Sequence, residues 1–487
     1  MAGPVWFGKR GLRPPEFLST GGTMSTLAHT PSLAGLSGHD QLLPLLPVAG
    51  EDLTVPLVQS GRVRYVNLDY AASAPALLSV LERLQTIVPY YASVHRGAGY
   101  TSQISTSVYE SARNIVRTQL GGRPDDAVVF TRHTTDALNL LARCFPEATA
   151  DRPGDVLYLD LEHHANLLPW QALPHRSVLA APSVAATLEL VERELRAGQV
   201  TLLAVTAASN VTGELLPVAE LARLAHAHGA RIVVDAAQLI PHRVVNIADW
   251  DVDYLAFSGH KIYAPFGAGV LIGRPDWLDQ GPPHLAGGGA VNEVRPDSVR
   301  WASSPARHEG GSPNVLGAAA LAAALEALAG LDQDVRQYHD TALREQLVAG
   351  LSAIDGVRVH HFFSETDPTD AVGIVNFSIA GYDAGLAAAY LSAEHGIGVR
   401  DGRFCAHPLL RRLGLPSGSL RASLGLGSRG EDIERLVRGV RELLGPGPQW
   451  DYVIDADRWV PVHDPRSFPA WAPNLPGTAG AAPCNTL

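Results

Sequence analysis

The sequence predicts an α/β fold in which helices cover a mostly parallel sheet. Between about residues 60 and 320, short apolar or β-branched runs alternate with longer amphipathic stretches, and such alternation is typical of parallel sheets. The chain has 487 residues, 46% of them apolar, which is enough for two or three domains with sizeable cores. Ligands of such sheets bind at the carboxyl ends of the strands. We therefore expect functional polar residues directly after the apolar runs.

The predicted strands and helices follow one another in chain order. The large-domain strands are expected at 127–130 (AVVF), 155–160 (DVLYLD), 201–209 (TLLAVTAAS), 231–238 (RIVVDAAQ) and 252–259 (VDYLAFSG). Segments such as VAELARLAHAHG are expected to form the helices between them. An alanine-rich helix near 315–331 leads into a second unit with strands GIVNFSI and RASLGLG and a final helix EDIERLVRGVREL. These patterns predict a smaller α+β domain after the large one.

The same patterns divide the chain into four parts. Residues 1–55 are rich in Pro, Gly, Ser and Leu without lasting periodicity, which predicts a loosely ordered lead in which Met24 could be the true start. The large domain is expected at 56–331 and the small domain at 332–445. Residues 446–487, rich in Pro, Trp and Gly, form a predicted tail.

Composition excludes several classes of partner. The net charge of −11 and the pI near 5.9, without a basic stripe, argue against nucleic acid and anionic membranes. The most apolar stretch, VLGAAALAAALEALAGL, is short and broken by Glu326, so we expect a packed helix. The first 25 residues contain no continuous apolar core, and the three cysteines, Cys144, Cys405 and Cys484, are far apart. Both features favour the cytoplasm.

Lysine is scarce in this chain. Of 38 basic residues only Lys9 and Lys261 are lysines, and the other 36 are arginines. Lysine alone can lose its proton, act as an amine nucleophile and form a Schiff base. Lys261, in FSGHKIYAPFGAGVL, is therefore the first candidate catalytic residue.

Four groups of polar residues follow predicted strands. Hydroxyls and free amides at the start of a helix can bind an anion, and a carboxylate, an imidazole and a lysine complete the set that holds pyridoxal 5′-phosphate. Each feature alone is weak, but their order around the one lysine of the folded region favours this cofactor. The groups are Thr134, Thr135 and Asp136; Glu162, His163, His164 and Asn166; Asp235 and Gln238; and Ser258, His260 and Lys261.

These motifs resemble those of the class V aminotransferase superfamily of fold-type I pyridoxal-phosphate enzymes, and within it the Suf-type (group II) cysteine desulfurases and selenocysteine lyases. The resemblance runs from YVNLDYAASAPA near 65 to EDIERLVRGV near 440 and rests on VHRG, TT with an acid, EHHANLLPWQ, SNVTG, VDAAQ, SGHK and RFCAHP. It implies a large domain with a mostly parallel seven-stranded sheet, a smaller α+β domain and a homodimer.

The resemblance also implies roles for individual residues. Lys261 would be the Schiff-base lysine, His163 the ring-stacking residue and proton shuttle, and Asp235 the partner of the pyridinium nitrogen. Gln238 would bond the phenolic oxygen of the cofactor. The phosphate would be bound by Thr134, Thr135, Ser258 and His260, with Ser312 reaching it from the other subunit, and the substrate by Asn210, Arg421, Arg400, His95 and Arg96.

Arg421 and Cys405 also make chemical sense on their own. A planar guanidinium can hold an α-carboxylate with two hydrogen bonds. Cys405 lies between Arg403 and His407, and cationic neighbours raise the thiolate fraction of a cysteine. The spacing of Arg, Gly, Cys, Ala and Pro in RDGRFCAHP matches the desulfurase loop, which implies a persulfide on Cys405.

Four features depart from the desulfurase pattern. RDG (400–402) stands where Arg-Thr/Ser-Gly is usual, RF (403–404) replaces two histidines, Asp136 stands for a glutamate and Ala264 for a glycine. They leave the cofactor chemistry intact but leave the sulfur acceptor, and cysteine as the substrate, open.

Three readings remain in competition. The first is a desulfurase that cleaves the C–S bond of L-cysteine or selenocysteine to give alanine, with a possible sulfur-acceptor protein as partner. The second is a class V aminotransferase, epimerase or β-lyase acting on another amino acid, and the third a cofactor-binding interaction protein in a sulfur-transfer assembly. The EHH histidines lack the i, i+4 spacing of a zinc site, so no metal is expected, and GLGSRG lacks the βαβ context of a nucleotide loop.

Overall fold

The computed structural model describes residues 42–363 and 369–472. Lys9, Met24 and Cys484 lie outside the described residues. The helices are α1 (Leu78–Ile87), α2 (Tyr100–Gln119), α3 (Thr134–Ala148), α4 (Leu168–Gln171), α5 (Val184–Arg196), α6 (Val218–Ala227), α7 (Pro275–Gln280), α8 (Val315–Ala329), α9 (Gln333–Ser352), α10 (Ala384–His395), α11 (His407–Arg412) and α12 (Gly430–Leu444).

The strands fall into one large sheet, a four-stranded sheet and short pairs. They are β1 (Thr54–Pro56), β2 (Arg62–Arg64), β3 (Val66–Asn67), β4 (Ala127–Thr131), β5 (Asp155–Leu159), β6 (His175–Val178), β7 (Val200–Thr206), β8 (Arg231–Asp235), β9 (Tyr254–Ser258), β10 (Gly269–Gly273), β11 (Val291–Arg295), β12 (Ser298–Trp301), β13 (Val357–His360), β14 (Ile374–Ile379), β15 (Ile397–Gly398), β16 (Arg400–Gly402), β17 (Ser419–Ser423), β18 (Tyr452–Asp455) and β19 (Arg458–Pro461).

The large sheet has seven strands in the order β4-β10-β9-β8-β7-β5-β6. Only β10 runs antiparallel to its neighbours, β4 and β9, and the other pairs are parallel. Every side chain of β7 and β9 is buried, as expected for strands covered on both faces. The predicted α/β fold with a mostly parallel seven-stranded sheet is therefore confirmed. The carboxyl ends of β5, β7, β8 and β9 meet at one edge.

The small domain is built on the antiparallel sheet β13-β14-β17-β16 with α9, α10 and α12. The two-residue strand β3 pairs with β15, and Val66 and Leu68 are fully buried in the small-domain core. This part of the chain was predicted to lie in the large domain. A strand this short has no readable periodicity, so its membership depends on a long-range pairing.

Parts of the predicted lead and tail pack against the body. The amide of Leu45 donates to the carbonyl of Leu426 at 2.7 Å, and Val48 is buried. In the tail, β18 and β19 form a hairpin, and Trp450 Nε1 donates to the Val462 carbonyl at 2.7 Å. Within residues 42–55, expected to be loosely ordered, the chain is therefore attached by a backbone hydrogen bond and a buried side chain, neither of which leaves a periodic signal in the sequence.

The alanine-rich helix α8 is a packed helix, as expected. It lies against α1 and α2, and the Asn314 side chain caps it by accepting from the Gly317 amide at 2.9 Å. Within 42–363 and 369–472, no single helix is long and apolar enough to cross a membrane. Taken together, α8 and α9 would pass on length and composition, but they meet at 91°.

Candidate active site

Lys261 lies immediately after β9, at the end of the single-turn 3-10 helix Gly259–Lys261. A side chain at Gly259 would lie 2.7 Å from the Ala268 carbonyl, so glycine is required for this close approach. Burial lowers the pKa of Lys261 to about 8, while the nearby Asp235 carboxylate raises it and Arg421 lowers it further. A lysine with this pKa presents a substantial fraction of free amine near neutral pH.

Asp235 is the last residue of β8 and is buried. Its Oδ1 accepts from the Ala237 amide at 3.0 Å. Burial raises the pKa of this carboxyl group, and the Lys261 charge lowers it. Three residues on, Gln238 Nε2 donates to the Ala71 carbonyl at 2.9 Å, which fixes the amide beside the end of the strand.

The first turn of α3 meets the end of β9. The Thr134 amide donates to Ser258 Oγ at 2.8 Å, and the two hydroxyls are 2.7 Å apart. Both side chains are buried. The amino terminus of a 15-residue helix, with these hydroxyls beside it, has the chemistry of an anion site, and the phosphate role expected for it stays a prediction.

His163 follows β5 and begins a short 3-10 turn, where its Nδ1 accepts from the Ala165 amide at 3.0 Å. This bond leaves the imidazole proton on Nε2. Burial lowers the pKa of His163 to about 3, and the charges of Lys261, His164 and Arg421 lower it as well. The ring is therefore neutral at physiological pH and lies within electrostatic range of Lys261.

A buried hydrogen-bond network holds the loop that carries His163. Glu162 Oε1 accepts from the Thr206 amide at 2.9 Å, and its Oε2 accepts from Asn166 Nδ2 at 2.6 Å. Asn166 Oδ1 in turn accepts from Trp170 Nε1 at 3.1 Å. Burial raises the pKa of Glu162 well above its usual range. These bonds tie the loop after β5 to the end of β7.

Arg421, in β17, is fixed on several sides. Its Nη1 donates to the Asn210 carbonyl at 2.8 Å, and Nη2 pairs with Asp69 Oδ1 at 3.1 Å. The guanidinium carbon lies 5.1 Å from the centroid of the Phe404 ring. Its Nε is buried and has no hydrogen-bond partner within the described residues. Burial lowers the pKa of this guanidinium, and the Asp69 carboxylate raises it. The unpaired Nε is a buried donor available to an anionic ligand.

Cys405 lies in a sharp loop between β16 and α11. Phe404 and Cys405 both adopt the left-handed conformation, with φ of 51° and 52°, which is uncommon for residues other than glycine. Asn210 Nδ2 donates to the Phe404 carbonyl, and the His164 amide donates to the Cys405 carbonyl, both at 2.8 Å. The Cys405 side chain is half-buried. A negative charge on Cys405 would raise the pKa of Lys261, which burial lowers.

The other predicted site residues lie further out. Thr135 is exposed in the first turn of α3, and Ser312 is exposed in the loop before α8. His95 is exposed with φ of 62°, and its Nε2 pairs with Glu110 Oε1 at 2.9 Å. Arg96 is exposed. The roles proposed for these four residues stay predictions.

Two predicted residues lie closer to the centre of the site. Arg400, half-buried, is the cross-strand neighbour of Arg421. His260 is half-buried in the turn before Lys261, where burial lowers its pKa to about 4. Both are placed to contribute to ligand binding, and their roles also stay predictions.

The residues fit pyridoxal phosphate by their donor chemistry. Within the described residues, neither Asp235 Oδ2 nor Lys261 Nζ has a hydrogen-bond partner, although each charge shifts the pKa of the other. A carboxylate with one oxygen available, an amine and a helix start with hydroxyls are the groups that this cofactor needs.

Two residues of the site were missed by sequence reasoning. Asp69 pairs with Arg421 across 352 positions of the chain, and the Phe404 ring and carbonyl organise Arg421 and Asn210. Asp69 lies within the YVNLDYAASAPA motif, which was the one available signal. Phe404 was noted only as a departure from the usual histidines.

Comparison with known proteins agrees with this geometry. The family model described as Aminotransferase class-V matches residues 66–436. A cysteine desulfurase of Dickeya dadantii is 38% identical over 389 residues, covering 78% of this chain and 92% of that protein. A probable cysteine desulfurase of Mycobacterium leprae is 35% identical over 402 residues, covering 80% and 93%.

Solved structures agree as well. The apo structure of a cysteine desulfurase from Thermococcus onnurineus has a TM-score of 0.71 at 32% identity, covering 78% of this chain and 95% of that one. An Escherichia coli cysteine desulfurase in an S-sulfonic acid form has a TM-score of 0.68 at 34% identity, covering 78% and 94%. With a family match over most of the chain and these relatives, the chain belongs to the aminotransferase class-V family.

Proposed function

We propose that this enzyme is a pyridoxal-phosphate-dependent cysteine desulfurase that converts L-cysteine, or selenocysteine, to alanine. The observation that carries the proposal is the position of Cys405, held in a strained loop by Asn210 and His164 beside Lys261 and Arg421. Its relatives at 32–38% identity carry the name cysteine desulfurase. The class V family alone supports many reactions, so the cysteine decides between them.

Several side chains would hold the cofactor. Lys261 would bind its aldehyde carbon, Asp235 its ring nitrogen, His163 its ring face and Gln238 its phenolic oxygen. When bound, pyridoxal phosphate supplies an electron sink for bonds at the substrate α-carbon. Its phosphate would be held by Thr134, Thr135, Ser258 and His260, together with Ser312 of a second subunit in the proposed homodimer.

Other residues would bind the amino acid and move its protons. Arg421 offers Nε to the substrate carboxylate, with Asn210 behind it and Arg400, His95 and Arg96 toward solvent. The amine of Lys261 would accept and return a proton at Nζ, and neutral His163 carries its proton on Nε2.

Sulfur transfer would take place at Cys405. The Cys405 thiolate attacks the sulfur of the bound substrate, a sulfur–sulfur bond forms, and the substrate C–S bond breaks with its electron pair remaining on carbon. Protonation of that carbon gives alanine, and Cys405 keeps the persulfide. A sulfur-acceptor protein or a thiol would then remove the outer sulfur. Neither of the two described cysteines, Cys144 and Cys405, forms a disulfide, which suits the reducing cytoplasm proposed for the enzyme.

The test is an intact-mass measurement on purified yellow protein incubated with L-cysteine without reductant, with alanine assayed in parallel. The expected result is a gain of one sulfur and formation of alanine in the wild type and in Cys144→Ala, but no gain in Cys405→Ala. Cys144 is buried under α7, where burial raises the pKa of its thiol to about 12, and it serves as the matched control. If neither the persulfide nor alanine forms, the assignment moves to an aminotransferase, epimerase or β-lyase.

A further inference from the structure

A cavity of about 340 Å³ lies where the large domain meets the start of the small domain. It is formed by the end of α2, the turn after β8 and the junction between α8 and α9, and none of the candidate active-site residues lines it. Most of its walls are apolar. The apolar lining includes Leu120, Ile240, Val245, Leu325, Leu328 and Leu331.

Two arginines line this cavity. Arg243 pairs with Asp340 and Asp370, whereas the second cation is Arg336, from the first turn of α9. Its side chain is nearly fully buried, with 5% of the residue surface exposed. Nη2 donates to the Ile240 carbonyl, while Nε is buried and has no hydrogen-bond partner among the described residues. Within 42–363 and 369–472 no carboxylate forms an ion pair with this guanidinium. A guanidinium has five N–H donors, and leaving a buried one unpaired is costly.

The carboxylate one turn further along α9 cannot fill this role. Asp340 accepts from His242 Nδ1 and from Arg243 Nη1, both at 2.7 Å, and from the Gly373 amide at 3.0 Å. Its two oxygens are therefore committed to another network. Arg336 also borders a space of about 10 Å³ beside Tyr263, which is too small for more than one water. Of these two spaces, only the larger cavity has room for an organic anion beside Arg336.

We propose that this cavity binds a small organic carboxylate with an apolar tail. The carboxylate would pair with Arg336, since a guanidinium matches its geometry with two hydrogen bonds, and the tail would lie against the leucines of α8. The volume lies at the lower end of the range typical of small-molecule sites, and the apolar walls disfavour inorganic phosphate. Ile240, which lines this cavity, lies in the turn after β8, and the same turn contains Gln238 of the active site.

The experiment is isothermal titration calorimetry of the holoenzyme with 4-methylpentanoate, with the uncharged 4-methylpentanamide as the matched probe. The exposed Gln333 lines the cavity mouth, one turn before Arg336. Gln333→Glu places a carboxylate there, at a helix start that favours negative charge, so folding is retained. We expect saturable binding of the carboxylate, weakened about fivefold or more by Gln333→Glu and unchanged by Gln333→Ala.

Two further variants separate charge from shape. Arg336→Met should abolish binding of 4-methylpentanoate, and Leu328→Trp should block both probes by filling the cavity. Because Arg336→Met can disturb folding through the lost Ile240 contact, the surface pair Gln333→Glu and Gln333→Ala decides the outcome if it does. Absence of saturable carboxylate binding to the wild type, equal affinity for the amide, or equal affinity of the two Gln333 variants would overturn the proposal.

Discussion

Arg421 and Asp69 form an ion pair inside the site, with Nη2 and Oδ1 3.1 Å apart. Together with the bond from Nη1 to the Asn210 carbonyl, this pair fixes the plane of the guanidinium. Nε is left buried without a partner in the described part of the chain. The free enzyme therefore holds Arg421 oriented, with one donor reserved for a ligand, and a ligand carboxylate meets a cation that needs no reorganisation.

The first prediction concerns the shape of this cation. Arg421→Lys keeps the charge but cannot donate to Asp69, Asn210 and a substrate carboxylate at once, because an ammonium lacks the planar fork. We expect kcat/KM for L-cysteine to fall about 10- to 100-fold, with the yellow colour retained. Steady-state kinetics would show this, with Arg435→Lys as the control, since the hydrogen bonds of Arg435 within the described residues go to the backbone carbonyls of Arg64 and His395. Unchanged kcat/KM would remove Arg421 from substrate binding.

The second prediction concerns the amine. Lys261→Ala and Lys261→Arg should both abolish turnover and the visible absorption of bound pyridoxal phosphate, because neither side chain has a neutral amine at physiological pH. Lys261→Arg is the sharper test, since it keeps the positive charge beside Asp235. Absorption spectra of the purified proteins and an alanine assay are the measurements. Visible absorption retained in Lys261→Arg would contradict the assignment.

The third prediction is a pH dependence. Burial lowers the pKa of Lys261 from its ordinary 10.5 to about 8, and Asp235 opposes the shift. Only the neutral amine can attack the aldehyde of the cofactor, so uptake by the apoenzyme should accelerate about tenfold per pH unit below that value and level off above it. Asp235→Asn removes the charge that raises the pKa, so its plateau should begin at a lower pH. Stopped-flow absorbance would measure both profiles, and a plateau that does not move would argue against coupling.

The sequence predicted the parts of this molecule that depend on local patterns. The strands β4, β5, β7, β8 and β9 lie where apolar runs were found, and the polar residues after them line one edge of the sheet. The predicted run 201–209 overshot β7, which ends at Thr206, because buried alanines continue the apolar pattern into the turn. The side chains of Asp69 and Arg421 are brought together only by tertiary packing, so no local signal could pair them.

The domain limits could likewise be predicted only where they depend on local sequence patterns. Val66 and Leu68 belong to the small-domain core because β3 pairs with β15, and a pairing of two residues leaves no pattern in the sequence. The antiparallel direction of β10 was also not predicted, since the apolar pattern of GVLIG does not depend on the direction of the strand. Burial of α8 was predictable, because its composition is apolar all round.

The fourth prediction concerns the hydrogen bonds of Glu162, which hold the loop that carries His163. Both oxygens of Glu162 accept, from the Thr206 amide and from Asn166 Nδ2, and the Trp170 bond fixes the orientation of the Asn166 amide. A glutamine at 162 would face one of these donors with its own NH₂ group. We therefore expect Glu162→Gln to lower the free energy of unfolding by about 1–3 kcal/mol, measured by urea denaturation. Glu220→Gln in α6 weakens a surface ion pair with Arg223 and should have little effect. Equal stability of the two variants would contradict this donor and acceptor assignment.

The fifth prediction concerns how the tail is attached. Glu394, buried in α10, accepts from Gln59 Nε2 at 2.8 Å, from the Gln449 amide at 3.0 Å and from the Tyr452 hydroxyl at 3.0 Å. One carboxylate therefore joins the segment before β2, α10 and the hairpin of β18 and β19. Removing it leaves several donors unsatisfied at once, each of which costs about 1–3 kcal/mol when buried.

Glu394→Ala should consequently loosen the hairpin while leaving the active site intact. Limited proteolysis should cut the chain within residues 446–472 several-fold faster than in the wild type, because cleavage follows the population of locally opened states. Turnover should stay within about twofold of the wild type, since no active-site residue contacts Glu394. Glu431→Ala, on the exposed face of α12, is the matched control. An unchanged cleavage rate in Glu394→Ala would mean that apolar contacts between β19 and α10 hold the hairpin without the carboxylate.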